Sequence, residues 1–134
     1  MAKDFIQRVF QQWEEGDSAS FFAALAPDVV WTAKGTTPIS GTVHGKQEYM
    51  EKVYQPLLKV FTGPTKCLVR RIVGEGDTVV VEWHGETPTK SGTYSQDYCW
   101  LIRVREDGNA IAEVTGYFDT ARVAALLSED PATH

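Results

Sequence analysis

Asp119 is a carboxylate whose position would allow two kinds of chemistry. The stretch EVTGYFDTARVAALL, residues 113–127, places it where a predicted strand runs into a predicted helix. A carboxylate there could transfer protons as an acid or a base. It could also accept hydrogen bonds from the free N–H groups of the first helical turn, which typically contributes about 1 kcal/mol. The position at a helix start favours capping, and acid/base chemistry is the alternative.

His84 lies between two acidic residues in the stretch EWHGE. Glu82, His84 and Glu86 alternate along a predicted strand, so their side chains share one face of it. Arg103 and Glu113 are candidate cross-strand neighbours. One interpretation is a general base oriented by a glutamate. The favoured one is a polar dimer interface on the outer face of the sheet, because the opposite face of this strand is apolar.

The two cysteines, Cys67 and Cys99, are far apart in the sequence and fit no metal-ligand spacing. We therefore predict no metal site and interpret them as small core or surface residues. A functional thiol is the alternative.

Two helices are predicted at the start of the chain. Residues 4–15 have apolar side chains at i, i+3 and i+4, which indicates an amphipathic helix. Residues 19–26 predict a short second helix that Asp17 or Ser18 could cap and that Pro27 would end.

The middle of the chain predicts a strand, a loop and a third helix. Residues 29–31 begin a short strand, and the Gly-, Thr- and Pro-rich residues 32–45 are typical of a loop. A helix is predicted over about 46–60, with Pro56 producing a kink or an early end. The last helix is predicted over 120–127.

The second half of the chain predicts antiparallel strands. Residues 67–87 indicate two strands joined by a turn at 74–77, and residues 92–119 indicate two more, joined at 106–109. Helices followed by a meander of strands predict an α+β fold in one domain, 1–134, with the helices packed on one face of a curved antiparallel sheet.

Alternation along these strands separates an apolar face from a polar one. The apolar faces should lie against the helices, because each large apolar side chain that is buried contributes roughly 1.5–3 kcal/mol. Unpaired charges such as Glu82, Asp97 and Glu113 could not lie there. Gly85 and Gly116 have no side chains and leave space between the large rings of this face. The rings therefore form either a plain hydrophobic core or an apolar pocket. The residues expected on this inner face are Trp13, Trp31, Val79, Val81, Trp83, Gly85, Tyr98, Trp100, Ile102, Val104, Ala112, Val114, Gly116 and Phe118.

Composition narrows the classes of partner. The 134 residues are 43% hydrophobic and 23% charged, as in an ordinary globular protein, and the net charge is −5. Nucleic acid and anionic membrane surfaces require a basic patch, so neither is an expected partner. No apolar run approaches the roughly 20 residues of a membrane span, and the N-terminus does not resemble a signal peptide. We therefore expect a cytoplasmic protein.

Three stretches resemble the SnoaL-like branch of the nuclear transport factor 2-like superfamily. They are GDSASFFAALAPDVVWTA, GTVHGKQEYMEKVY and DYCWLIRVREDGNAIAEVTGYFDTARV. The resemblance implies a cone-shaped α+β (cystatin-like) fold, with a pocket between the concave face of the sheet and the helices. It also implies a homodimer formed through the outer sheet face, where the His84 cluster would lie. The resemblance does not identify an activity, because proteins with this fold have many different functions.

The resemblance also indicates which catalytic groups are missing. Ketosteroid isomerases hold a base and two oxyanion donors at places similar to Ala33, Val9 and Trp100, and Tyr54 resembles a supporting tyrosine. Polyketide cyclases would place a carboxylate near Asp119. The polar groups of limonene epoxide hydrolases would fall at Trp31, Ala33, Trp83, Gly85 and Gly116.

A pocket of this kind would be aromatic and would have few titratable groups. His44, at the rim of the cone, Tyr54 and Tyr98 are candidates for a substrate contact or proton transfer, together with Asp119. Lys34 at the rim could meet an anionic ligand, although a solvated side chain is the simpler interpretation. The residues expected to line the pocket are Trp13, Trp31, Tyr54, Trp83, Tyr98, Trp100, Gly116 and Phe118.

Two functions from different classes remain open at this point. The first is an isomerase, cyclase or hydrolase that acts on a small apolar ring compound without a cofactor. The second is a non-catalytic ligand-binding or dimerisation module. An enzyme should have a titratable group with a shifted pKa in the cavity, whereas a binding module needs only rings and a hydroxyl.

Overall fold

The computed structural model describes residues 2–128, which form four helical regions and a single sheet. Helix α1 buries Ile6, Val9, Phe10 and Trp13 on one stripe, as the apolar spacing predicts. The helical regions are α1 (Ala2–Glu14), α2 (Ser20–Ala24), α3 (Lys46–Tyr49, Met50–Tyr54 and Gln55–Leu58) and α4 (Thr120–Leu127).

Helix α3 changes its winding before its proline instead of ending there. Its middle segment, Met50–Tyr54, is a π-helix, and α-helix resumes at Gln55. Pro56 has no N–H group to donate to the preceding turn, and its ring crowds that turn. The wider π turn accommodates such a residue without breaking the helix.

The strands form an open, curved sheet in the order β2-β1-β6-β5-β4-β3. Strands β1 and β6 pair in parallel, and the other neighbours are antiparallel. The helices pack on the concave face, so the predicted fold class is confirmed. The strands are β1 (Leu25–Ala33), β2 (Gly41–His44), β3 (Lys66–Glu75), β4 (Thr78–Thr89), β5 (Gly92–Val104) and β6 (Ile111–Phe118).

The first strand begins earlier than predicted. Leu25 and Ala26 belong to β1 and not to the second helix, which ends at Ala24, and Pro27 lies within the same strand. Pro27 is tolerated because it lies in an irregular part of the β1–β6 ladder, between the Leu25 and Val30 pairings, where no ladder hydrogen bond is lost.

The predicted loop over 32–45 contains strand β2, which the sequence pattern missed. This strand is short and buries only Val43, so it shows little hydrophobic alternation. It pairs with β1, where the hydroxyl oxygens of Thr32 and Thr42 lie 2.9 Å apart.

The predicted separation of the two sheet faces is confirmed, with one exception. In β4, Val79, Val81 and Trp83 are buried, whereas Glu82 is exposed. Ala112 does not follow the alternation, because a bulge shifts the β5–β6 register between the Arg103 and Val104 pairings. Ile111 therefore takes the buried position, at 0% exposure, in place of Ala112.

Candidate functional site

An aromatic chamber lies between the concave face of the sheet and helices α1, α3 and α4, with a volume of about 110 Å³. All eight residues that the sequence predicted to line a pocket lie on its wall. The wall also includes residues that the sequence did not single out for the pocket, namely Ile39, Tyr49, Val53, Leu57, Phe61, Thr65, Tyr94 and Val123, together with Ala33.

Five residues that the resemblance associates with polar catalytic positions line the chamber. Ala33 and Gly116 face it from β1 and β6, and the others are Trp31, Trp83 and Trp100. In this chain these positions present a methyl group, a hydrogen atom and three indoles to the chamber.

Four tryptophans and a tyrosine determine the shape of the chamber. The rings of Trp83 and Tyr98 are stacked, with centroids 4.2 Å apart. Trp100 stands nearly perpendicular to Trp31, at 81° and 5.2 Å, and to Trp83, at 76° and 4.8 Å. Gly85 is required beside the stack, because a Cβ there would come within 2.9 Å of the Trp83 ring.

A second, wider groove adjoins the chamber on the side of α2 and α3. It has a volume of about 420 Å³ and shares Trp13, Tyr49, Tyr54 and Trp100 with the chamber. Tyr54 is 37% exposed and lines both spaces. The groove is therefore a natural entrance for a molecule that reaches the chamber.

The phenols of the chamber are neutral hydrogen-bonding groups. Burial raises the pKa of Tyr49 and of Tyr98 well above the ordinary phenol value, and burial also raises the pKa of Tyr94. A phenol with a raised pKa keeps its proton, so these groups donate hydrogen bonds and cannot serve as bases near neutral pH.

Gln96 connects the chamber to the start of α4, and the sequence did not single it out. It is completely buried on the inner face of β5. Its amide Nε2 donates to the Tyr94 hydroxyl at 2.8 Å and to the Asp119 carbonyl at 2.9 Å. Its carbonyl Oε1 accepts from the N–H groups of Asp97 and Asp119. All parts of the buried amide are thus paired, and the junction between β6 and α4 is held in place.

Asp119 caps helix α4. Its Oδ1 accepts hydrogen bonds from the N–H groups of Ala121, at 3.1 Å, and Arg122, at 3.4 Å. Its Oδ2 forms an ion pair with the Arg122 guanidinium at 3.3 Å. The carboxylate is exposed and does not belong to the chamber wall, so the geometry gives it a capping role.

His44 and Lys34 also lie away from the chamber. His44 is exposed on the edge strand β2, and its backbone N–H donates to the Glu48 carboxylate. Lys34 is exposed, and its ammonium group lies 5.9 Å from the centre of the Tyr117 ring on the outer face. Of the four candidates for chemistry, Tyr54 and Tyr98 line the chamber, whereas His44 and Asp119 do not.

The thiol of Cys67 is buried. Burial, with a smaller contribution from the charge of Glu14, raises its pKa to about 12. Such a thiol is protonated and unreactive at neutral pH.

His84 is clamped by two carboxylates on the outer face of the sheet. Its Nδ1 lies 2.8 Å from Asp97 Oδ1, and its Nε2 lies 3.1 Å from Glu86 Oε2. The expected neighbours Arg103 and Glu113 instead pair with each other, at 3.1 Å. The cross-strand partner of His84 is Asp97, because β4 and β5 align these two residues.

The stability of the fold should therefore depend on the charge of His84. The hydrogen bond to Asp97 raises the pKa of the imidazole, burial opposes this, and Glu86 adds to the rise. In the unfolded chain a histidine has a pKa of about 6.5, so the stabilisation from the charged imidazole is complete below that pH. It is lost as pH rises through the raised pKa of the folded state. Urea unfolding should show that His84→Gln is more destabilising at pH 6 than at pH 9.

The exposed His44 supplies the control for this pH dependence. His44→Gln should preserve the pH profile of the wild-type protein. The pKa of Asp97 is lowered, mainly by the same hydrogen bond, so its own stabilisation is lost only as pH falls through that lowered value. If stability depends on pH in the same way in the wild type and in His84→Gln, the His84–Asp97 pair does not contribute to stability.

A family model described as the SnoaL-like domain matches residues 6–114. No curated protein matches the sequence. Over the described residues 2–128, none of the helices has the length and apolarity required to span a membrane.

Solved structures share the fold at low sequence identity. An NTF2-like protein from Burkholderia thailandensis is 20% identical, with a TM-score of 0.74 over 95% of this chain and 97% of that chain. A putative SnoaL-like polyketide cyclase from Jannaschia sp. is 16% identical, with a TM-score of 0.69 over 97% and 93%. TerC, co-crystallised with polyporic acid, is 21% identical, with a TM-score of 0.73 over 96% and 100%.

Proposed function

The chain belongs to the SnoaL-like domain family, and we propose that its aromatic chamber binds a small, neutral, ring-shaped metabolite. The observation that carries this proposal is the wall itself, in which rings from α1, β1, β4 and β5 surround a space with an adjoining groove. Apolar concavities with a few polar groups are typical ligand sites.

The size of the chamber supports a single ring or a pair of fused rings. Its volume of about 110 Å³ is of the order of dry apolar cavities, roughly 150 Å³, that accept benzene. A larger ligand would extend past Tyr54 into the groove, which adds about 420 Å³.

The electrostatics of the wall support a neutral ligand. Among the described residues, those lining the chamber are apolar or aromatic apart from Thr65 and the phenols. An anion or cation there would lose its hydration without gaining a charged partner, which is costly. The description of one similar protein as a putative SnoaL-like polyketide cyclase supports a polyketide-type compound as the class of ligand.

A ligand screen followed by thermal unfolding tests the proposal. Neutral ring compounds should raise the unfolding temperature of the wild type, since a ligand at 100 times its Kd stabilises the fold by about 2.7 kcal/mol. Gly116→Leu should abolish the effect, because a Cβ at this position already lies 3.0 Å from Trp100 Nε1 and the longer side chain would fill the chamber.

The control is Thr115→Leu, a similar enlargement one residue along β6 on the outer face. This variant should keep the response to the ligand. Binding that persists in Gly116→Leu would place the ligand elsewhere. If none of the compounds stabilises the wild type, the proposal is contradicted. The aromatic residues would then be hydrophobic core with no role in ligand binding.

A cofactor-independent isomerase or cyclase is a second candidate, favoured by the buried phenols of Tyr49 and Tyr98. Tyr49 could donate a hydrogen bond to a substrate oxygen that gains negative charge, and Tyr98 could do so by exchanging its hydrogen bond to the Tyr94 hydroxyl for one to the substrate. Mass spectrometry of compounds incubated with wild type and with Tyr98→Phe would reveal turnover that depends on this phenol. Asp119→Ala should leave any turnover unchanged, because its carboxylate caps α4.

The homodimer and the cytoplasmic location remain predictions. Leu68, Leu101 and Tyr117 are exposed on the outer face, at 52%, 38% and 46%, and they support a dimer through that face. Light scattering in solution would test the oligomeric state.

A further inference from the structure

Two buried indole N–H groups in the chamber wall have no acceptor. Trp31 is 5% exposed and Trp83 is 2% exposed, and no atom of the described chain accepts a hydrogen bond from either Nε1–H. A buried donor without an acceptor is destabilising, and such groups are uncommon in native proteins.

Trp13 shows that this lack of an acceptor is not a general property of the wall. Its indole also lines the chamber, and its Nε1–H donates to the Thr65 carbonyl at 3.0 Å. Trp13 on α1 therefore has an acceptor for its indole N–H, whereas Trp31 on β1 and Trp83 on β4 have none among the described residues.

The two unpaired donors flank a single ring. Trp100 lies on β5 between them, with centroids 5.2 Å from Trp31 and 4.8 Å from Trp83. Both contacts are between steeply inclined rings, and even a contact from N–H to a ring is weaker than a hydrogen bond to oxygen. An oxygen acceptor that reached either Nε1–H through a small movement of the rings would gain a hydrogen bond that the described chain does not supply.

We infer that Trp31 or Trp83 donates a hydrogen bond to the ligand, and that the ligand is a ring compound with a neutral oxygen acceptor such as a carbonyl. This inference rests on the proposed function, since it assigns the polar contacts of the same chamber. A carboxylate is unsuitable because the described wall carries no positive charge. A pure hydrocarbon is less suitable because it would leave both donors unpaired.

A matched pair of probes tests the inference: 1-indanone, which carries a ring carbonyl, and indane, which has the same fused rings without it. The wild type should bind 1-indanone more tightly by roughly 2- to 12-fold, the range for one net hydrogen bond. The Phe variants of Trp31 and Trp83 remove one donor each and keep an aromatic ring. At least one of them should reduce this preference to near 1, whereas Leu68→Ala, on the exposed outer face, should retain it.

Nuclear magnetic resonance of the wild type gives an independent readout that does not require the variants to fold. The chain has four tryptophans, so the indole region should contain four Nε1–H signals. The signal of Trp31 or Trp83 should move downfield with 1-indanone and not with indane, while that of Trp13 should not respond selectively.

The outcomes separate the inference from the proposed function. Equal affinity for the two probes, with no ketone-specific shift of either indole signal, would overturn the inference while leaving the binding chamber intact. Failure of both probes, and of all ring compounds in the wider screen, would overturn both.

Discussion

Replacing Trp83 by alanine is expected to lower the free energy of unfolding by about 3–5 kcal/mol, the usual range for a buried tryptophan. The side chain is 2% exposed and packs against the rings of Trp13, Tyr98 and Trp100. Its removal would lose these contacts and leave a void that the stiff neighbouring rings cannot fill. Urea unfolding of the variant and the wild type measures the loss.

Two comparisons show whether the loss comes from the cavity. Trp83→Phe should be less destabilising than Trp83→Ala, and added indole should stabilise the alanine variant more than the wild type by occupying the void. Leu68→Ala, on the exposed outer face, should change stability by less than about 0.5 kcal/mol. A loss below 1 kcal/mol for Trp83→Ala would contradict the view of this ring as a central support of the chamber.

Replacing Gln96 by leucine is expected to destabilise the protein by roughly 2–5 kcal/mol, because each donor or acceptor left unpaired costs about 1–3 kcal/mol. The substitution preserves much of the volume but removes the acceptor of the Asp119 and Asp97 N–H groups. It also removes one of the donors to the Asp119 carbonyl and one partner of the Tyr94 hydroxyl. Urea unfolding measures the total, and hydrogen exchange at the Asp119 amide reports the local effect.

The same substitution at an exposed position supplies the control. Gln12 is exposed on α1, and Gln12→Leu should change stability by less than about 0.5 kcal/mol. Unchanged exchange at the Asp119 amide in Gln96→Leu would show that the buried amide does not hold the β6–α4 junction.

The elements that depend on local pattern could be predicted from the sequence. Side chains alternate along a strand and repeat every 3.6 residues along a helix, so the inward position of Trp83 and the buried stripe of α1 follow from neighbouring residues alone. The cap at Asp119 is equally local, because the carboxylate and the N–H groups that it accepts from lie within three residues.

Features that depend on distant partners could not be predicted in this way. The parallel pairing of β1 with β6 joins segments some 80 residues apart, and it explains how Pro27 fits into a strand. The bulge that turns Ala112 away from the core belongs to the pairing of two strands, and no pattern within β6 indicates it. Likewise, Gln96 appears on a strand as an ordinary polar residue until the Asp119 backbone is brought to it.

The sequence by itself determined that large rings face the helices and that the ionised side chains lie on the other face, since burial of unpaired charge is prohibitive. The tertiary structure determined which polar atoms among those rings have partners. The indole of Trp13 meets the Thr65 carbonyl across 52 residues of chain, whereas those of Trp31 and Trp83 meet no acceptor within residues 2–128. Hydrogen bonds are short and directional, so their pairing depends on where the whole fold places each acceptor.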